Sequence, residues 1–262
     1  MDLRGVILDV DGTVLRGDEA LPGARAGLSA LAEASVRRVF FSNNPTKPPE
    51  AYERRFARAG FDVRADEVLT AGVSTTRHLA AEHGDDAVYV VGERGLVEQV
   101  EATGVTVVTE PGAADVILVS LDRNFDYDAL ASVSRALGDD GVTFLGTDPD
   151  LVIPTSDGDI PGSGAIVNAV GGVVGRTPDA YLGKPSELAR SLALSRLDVS
   201  PEECLVVGDR LDTDVALGAD AGMTTALVRT GVTDEADLTR SDISPDYVFD
   251  SLADLEDLLA VA

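Results

Sequence analysis

Short apolar runs rich in β-branched residues punctuate the chain at GVILDV, VRRVFF, CLVVG, TALVR and YVF. Stretches of helical spacing lie between them, the rhythm of a parallel sheet with crossover helices. The runs predict strands over Gly5–Val10, Val36–Phe41, Cys204–Gly208, Thr225–Arg229 and Tyr247–Phe249, with helices over Pro22–Ala34, Pro49–Ala59, Ser186–Leu197 and Asp214–Ala221. A last helix, expected over Leu252–Ala260, sets Leu252, Leu255, Leu258 and Leu259 on one face, with Ser251 as its N-cap.

The middle of the chain keeps its own rhythm. Val88–Val91, Val105–Thr109, Val116–Ser120 and Val142–Leu145 read as strands, with Leu96–Ala102 and Ala129–Leu137 as helices. Glycine and proline clusters then break the pattern between Pro149 and Gly175. The expected fold class is α/β: a Rossmann-like parallel-sheet core from residues 1–78 and 181–262, interrupted by an inserted α/β domain over 79–180.

Charge narrows the function classes. Of 262 residues, 46 are acidic and 21 basic, a net charge of −25, which excludes a nucleic-acid polymer or an anionic membrane as the main partner. Hydrophobic residues make up 44% of the chain, enough to bury a core, so the acidity does not signal disorder. No apolar run reaches the ~18 residues of a spanning helix and the amino terminus has no signal-peptide layout, so a soluble, cytoplasmic protein is expected. Cys204, the one cysteine, reads as a small core residue. Lysine occurs twice against 19 arginines, and aspartate outnumbers glutamate 31 to 15, which resembles the surface of proteins from salt-accumulating halophiles, with GC-rich coding bias as the alternative source of arginine in place of lysine. Residues 1–75 hold 10 basic and 11 acidic residues, so nearly all the net charge lies beyond them. Seven of those basic residues, Arg37, Arg38, Lys47, Arg54, Arg55, Arg58 and Arg64, read as a solvated helix face rather than a guide for an anionic substrate.

The chemistry gathers where apolar runs stop. Asp9-Val10-Asp11-Gly12-Thr13 follows GVIL, so two acids emerge at the carboxyl edge, where open α/β sheets bind ligands. Acids there suit a hard cation such as Mg²⁺, and an aspartate can also accept a phosphoryl group. Gly12 lets the backbone turn close to a ligand and Thr13 offers a hydroxyl; by itself the segment also fits a solvated Asp-Gly turn. A second acid cluster, Asp209 to Asp214, follows LVVG, and alone it fits a helix start capped by Asp212. Ser42-Asn43-Asn44 ends a third run with neutral donors suited to phosphoryl oxygens, or with an ordinary turn into Pro45. Lys184, in Gly-Lys-Pro, is unexpected in a chain that uses arginine almost everywhere, because an ammonium meets phosphate as a point charge. His78 and His83, in TTRHLAAEHG, lack ligand spacing and read as ordinary helix residues.

In that order, DxDGT, then serine, then GKP, then GDRxDTD, the sequence resembles the haloacid dehalogenase-like superfamily, and its large insertion resembles the NagD-like phosphatases of subfamily IIA. The resemblance covers essentially the whole chain. Gly146-Thr147-Asp148-Pro149-Asp150 and Pro161-Gly162-Ser163-Gly164 match the style of that subfamily's C2-type cap, except that Asp148 stands where members often carry asparagine.

The resemblance implies a Mg²⁺-dependent phosphatase acting on a small phosphorylated metabolite: a sugar phosphate, nucleoside monophosphate, phosphoglycolate or similar ester. Asp9 would be the nucleophile that becomes an aspartyl phosphate, and Asp11 the general acid and then base. The cation would be held by Asp9, the backbone carbonyl of Asp11, Asp209 and Asp214. Gly12, Thr13, Ser42, Asn43, Asn44 and Lys184 would bind the phosphoryl group. The inserted domain would act as a lid that excludes water, and a homodimer is the expected assembly. Two other readings stay open: transfer of the phosphoryl group to an alcohol, and a phosphate- or metal-binding regulator without turnover. The halophile reading predicts a folded, active protein in molar KCl; loss of either there, with full activity in dilute buffer, would refute it.

Overall fold

The computed structural model describes residues 2–155 and 158–261. From the amino end come β1 (Gly5–Leu8), β2 (Leu15–Arg16), β3 (Glu19–Ala20), α1 (Ala24–Glu33), β4 (Arg37–Ser42), α2 (Pro49–Arg58) and β5 (Val68–Thr70). The middle supplies α3 (Ala71–Glu82), β6 (Ala87–Val91), α4 (Arg94–Glu101), β7 (Thr106–Val107), β8 (Val116–Val119), α5 (Tyr127–Ala136), β9 (Thr143–Gly146), β10 (Val152–Ile153), β11 (Ile160–Pro161), α6 (Ser163–Val174) and β12 (Ala180–Tyr181). The chain ends with α7 (Glu187–Leu197), β13 (Cys204–Gly208), α8 (Ala216–Ala219), β14 (Thr224–Val228), α9 (Glu235–Arg240), β15 (Tyr247–Phe249) and α10 (Leu255–Val261).

These elements divide into two compact units. The first comprises residues up to Ser42, Pro49–Leu69 and Glu187 onward; the second comprises Asn43–Pro48 and Thr70–Ser186.

The first unit is built on a six-stranded sheet in the order β15-β14-β13-β1-β4-β5. β1 pairs in parallel with both β13 and β4, and every residue of β1 and β13 is buried, as a parallel sheet covered on both faces requires. The sequence run out from β1 in opposite directions makes β1/β13 the point where strand order reverses, so their carboxyl ends border the crevice in which such sheets hold ligands. Phe40 of β4 and Phe56 of α2 meet with ring centroids 4.6 Å apart in the main core, beside Tyr52 and Leu31. Leu252, Leu255 and Leu258 are buried there too, and Ser251 accepts a hydrogen bond from Ala253 N–H, as a cap should. Cys204 is buried, its thiol pushed up to about 12 by desolvation.

The second unit has a five-stranded parallel sheet in the order β12-β9-β8-β6-β7. Sequence pattern and structure part at α6, which runs through a region whose glycines suggested a break. Ile166, Val167 and Val170 bury one face of that helix beside Phe144 and Val133, and burial of this size outweighs the ~1 kcal/mol that each helical glycine costs. A second difference lies at Asp214–Ala221. There the chain makes a wide π-turn over Leu211–Val215 before the short α8, with Val215 N–H donating to Arg210 O at 3.1 Å. Insertions of this kind are frequent at functional sites.

The aromatic contact gives a direct check on the core. Phe56→Ala is expected to destabilise the protein by about 3–5 kcal/mol, read from equilibrium urea unfolding.

Candidate active site

The acids that follow β1 and β13 converge. The register aligns Leu8 with Val207, Asp9 N–H donates to Val207 O at 2.9 Å, and the chain then delivers Asp9 and Asp209 from neighbouring strand ends. Asp214 arrives from the π-turn. One carboxylate oxygen each from Asp9, Asp209 and Asp214 lies within 4.8 Å of the others, and all three residues are buried.

The surrounding backbone is shaped by these carboxylates. Asp209 accepts Val232 N–H at 2.7 Å and Asp214 accepts Arg210 N–H at 3.1 Å. Gly12 has φ +96°, and a Cβ on either Gly12 or Gly231 would collide with the Asp209 carboxylate, so both positions depend on glycine. Thr230 Oγ1 donates to Gly12 O at 2.6 Å, which ties this loop to the one carrying Gly231. Thr13 is fully buried, and its hydroxyl has no hydrogen-bond partner among the described residues.

An all-oxygen set of three buried carboxylates fits a hard divalent cation of the Mg²⁺ type. Soft metals favour sulfur or imidazole, and like charges this close call for a positive counterpart. The Asp11 carboxylate is not in this group. Its side chain is 52% exposed and is gripped by Arg55, Nη2 to Oδ1 at 2.5 Å and Nη1 to Oδ2 at 3.1 Å.

Arg55 is the functional candidate that the sequence reading missed. It does not lie on a solvated face: with Tyr52 and Phe56 it forms the buried side of α2. The signal was available, because Tyr52, Arg55, Phe56 and Ala59 follow helical spacing and put an arginine on the apolar stripe. Burial opposes the charge of Arg55, but the hydrogen bonds and charge of Asp11 outweigh it and hold the guanidinium protonated. Tyr52 places its hydroxyl 2.8 Å from Ser42 Oγ, and burial, aided by the charge of Asp11, raises the phenol well above its usual range.

In the second unit Asn43 and Lys184 are joined. Asn43 Nδ2 donates to Lys184 O at 3.1 Å, and Lys184 N–H donates to Asn43 Oδ1 at 2.8 Å. Lys184 is 2% exposed, not the surface residue that a lone lysine usually is. Asn44 turns its carbonyl inward to accept Thr46 N–H and Oγ1 at 2.9 and 2.8 Å. His83 Nδ1 lies 2.8 Å from Asp86 Oδ2 at the end of α3, and desolvation lowers the pKa of His78 beside it.

Asp148 is 2% exposed, accepting Thr147 Oγ1 at 2.9 Å and Asp150 N–H at 3.3 Å, with a further bond from Ser163. Burial, and then the charge of Asp150, hold its carboxyl far above the usual carboxylate range.

Known proteins resemble this chain over nearly its whole length. A model of haloacid dehalogenase-like hydrolases matches residues 6–106, and a related HAD-hydrolase-like model matches residues 181–255. The acid sugar phosphatase of Staphylococcus haemolyticus is 32% identical over 249 residues, covering 95% of this chain and 94% of that protein. The structure of p-nitrophenyl phosphatase from Archaeoglobus fulgidus superimposes with a TM-score of 0.90 at 34% identity, over 100% of both chains. NagD from E. coli K-12 does so with a TM-score of 0.84 at 30% identity, over 97% of this chain and 98% of that one.

The Asp148 carboxyl holds its proton to higher pH in the folded than in the unfolded chain. Its contribution to stability therefore falls as pH rises above the ordinary carboxylate range. Asp148→Asn is expected to melt above the parent protein at about pH 8 and to converge with it towards about pH 4, in thermal melts across that interval.

Proposed function

This chain belongs to the haloacid dehalogenase-like hydrolases and is a phosphatase of their NagD-like branch; from that premise we propose that it hydrolyses a small phosphate monoester, with Mg²⁺, through an aspartyl phosphate on Asp9. The observation that carries the reading is the convergence of Asp9, Asp209 and Asp214 at the ends of β1 and β13. Asp9, Asp209 and Asp214 would hold the cation together with the backbone carbonyl of Asp11. Bound there, it would offset the repulsion between carboxylates and phosphate and polarise a phosphoryl oxygen.

The chain's own groups then carry the steps. An Asp9 carboxylate oxygen attacks phosphorus, and the bond from phosphorus to the ester oxygen breaks. Asp11, as the carboxylic acid, gives its proton to that departing oxygen, which leaves as the alcohol. In the second half, water attacks phosphorus, Asp11 takes the water's proton, and the Asp9–phosphorus bond breaks to release inorganic phosphate. Positioning and charge neutralisation dominate such transfers. Thr13 brings a buried hydroxyl whose bonding is otherwise unmet, and Gly12 brings backbone that can approach closely. Ser42, Asn43, Asn44 and Lys184 take the phosphoryl-binding roles that the motif order gives them. The second unit serves as the cap that selects the leaving group.

The relatives support a small-molecule ester: one is named for sugar phosphates and another for p-nitrophenyl phosphate. Purified protein is expected to release p-nitrophenol from that ester with Mg²⁺, and to stop when EDTA is added. Asp9→Asn should lose at least about 10³-fold in kcat while keeping its melting profile. Turnover that survives in Asp9→Asn would sink the reading.

A further inference from the structure

Asp11 is held in place by a residue outside every motif. Arg55 meets it fork to fork, one nitrogen to each carboxylate oxygen, at 2.5 and 3.1 Å. The guanidinium is itself immobilised. Its Nε donates to Gly17 O at 2.5 Å in the turn between β2 and β3, and its carbon lies 5.8 Å from the centroid of the Tyr52 ring one helical turn earlier. The two partners differ in burial: Arg55 is 8% exposed as a residue, whereas the Asp11 side chain is 52% exposed.

A half-exposed aspartate on a loop has several staggered rotamers open to it. The fork selects one of them. Each carboxylate oxygen keeps a lone pair outside the fork, so the open side of the group remains able to give and take a proton. A lysine at the same place would supply charge without planar two-point geometry.

We propose that Arg55 is a positioning residue for proton transfer: its guanidinium fixes the Asp11 carboxyl in the orientation from which it serves the leaving oxygen and then the attacking water. The assignment rests on the acid–base role of Asp11 proposed above. Proton transfer demands hydrogen-bond reach, and a misplacement near 1 Å costs on the order of 100-fold. The competing explanation is that Arg55 only tethers the β2–β3 hairpin through Gly17 O. The two separate kinetically, because an alkoxide needs a proton to leave and a p-nitrophenolate does not.

The test uses the full chain with Mg²⁺ and compares kcat/KM for glycerol phosphate and p-nitrophenyl phosphate in Arg55→Lys and Arg55→Ala, with melting curves as the folding control. The alkyl ester is expected to lose about tenfold or more in Arg55→Lys, and p-nitrophenyl phosphate less than about threefold. Millimolar guanidinium should restore alkyl-ester turnover to Arg55→Ala. In an Asp11→Asn background, Arg55→Lys should cost nothing further. Equal losses on both esters, or a further loss in that background, would reduce Arg55 to a hairpin tether and overturn the assignment. Undiminished alkyl-ester turnover in Asp11→Asn alone would overturn the role of Asp11 itself, a result distinct from failure of Arg55.

Discussion

Three buried carboxylates with oxygens within 4.8 Å of one another repel, and the first unit is organised around holding them there. Two like charges at about 4 Å repel by about 1 kcal/mol in water and by about 4 kcal/mol in a partly buried setting. Backbone N–H groups of Val232 and Arg210 point at two of them, and the loops at Gly12 and Gly231 come too close for any side chain. A solvated turn or a helix cap would need none of this. Carboxylates gathered this closely are favourable only beside positive charge, which is why an all-oxygen cluster suits a hard cation.

The second unit carries buried polar chemistry of its own. It buries Lys184 in a chain that otherwise places almost all its positive charge on arginine, and fastens it by its backbone to Asn43. It also carries Asp148, an acid whose surroundings keep it neutral where a carboxylate would ordinarily ionise, so a hydrogen-bonded group of about asparagine's shape fills that position.

Much of this was legible in the sequence because parallel strands announce themselves. GVIL and CLVVG are fully buried runs, and the acids that follow them could only fall at the carboxyl edge. What escaped has two physical causes. Glycine counts misled at α6, where tertiary burial of Ile166, Val167 and Val170 overrode local propensity. Arg55 escaped because net charge along a segment describes its surroundings on average, and this arginine points the other way, into the core with Tyr52 and Phe56. Asn43–Pro48 groups by contacts with the second unit although it follows β4 directly, which no hydrophobic pattern marks.

The paired hydrogen bonds between Asn43 and Lys184 join residues 141 positions apart. They close the chain between them into a ring whose ends are fixed by the side chain of Asn43 and the backbone N–H and C=O of Lys184. The entropy of closing such a ring grows only with the logarithm of its length, about 0.6 kcal/mol for each doubling. Within the second unit's share of the ring, residues 70–183, length can therefore change at small entropic cost, whereas residues 49–69 of the same ring carry α2 and most of β5 of the first unit, Arg55 among them. In evolutionary terms the second unit's share of the ring can change length around a fixed clasp, while the first unit's share is bound by its own core.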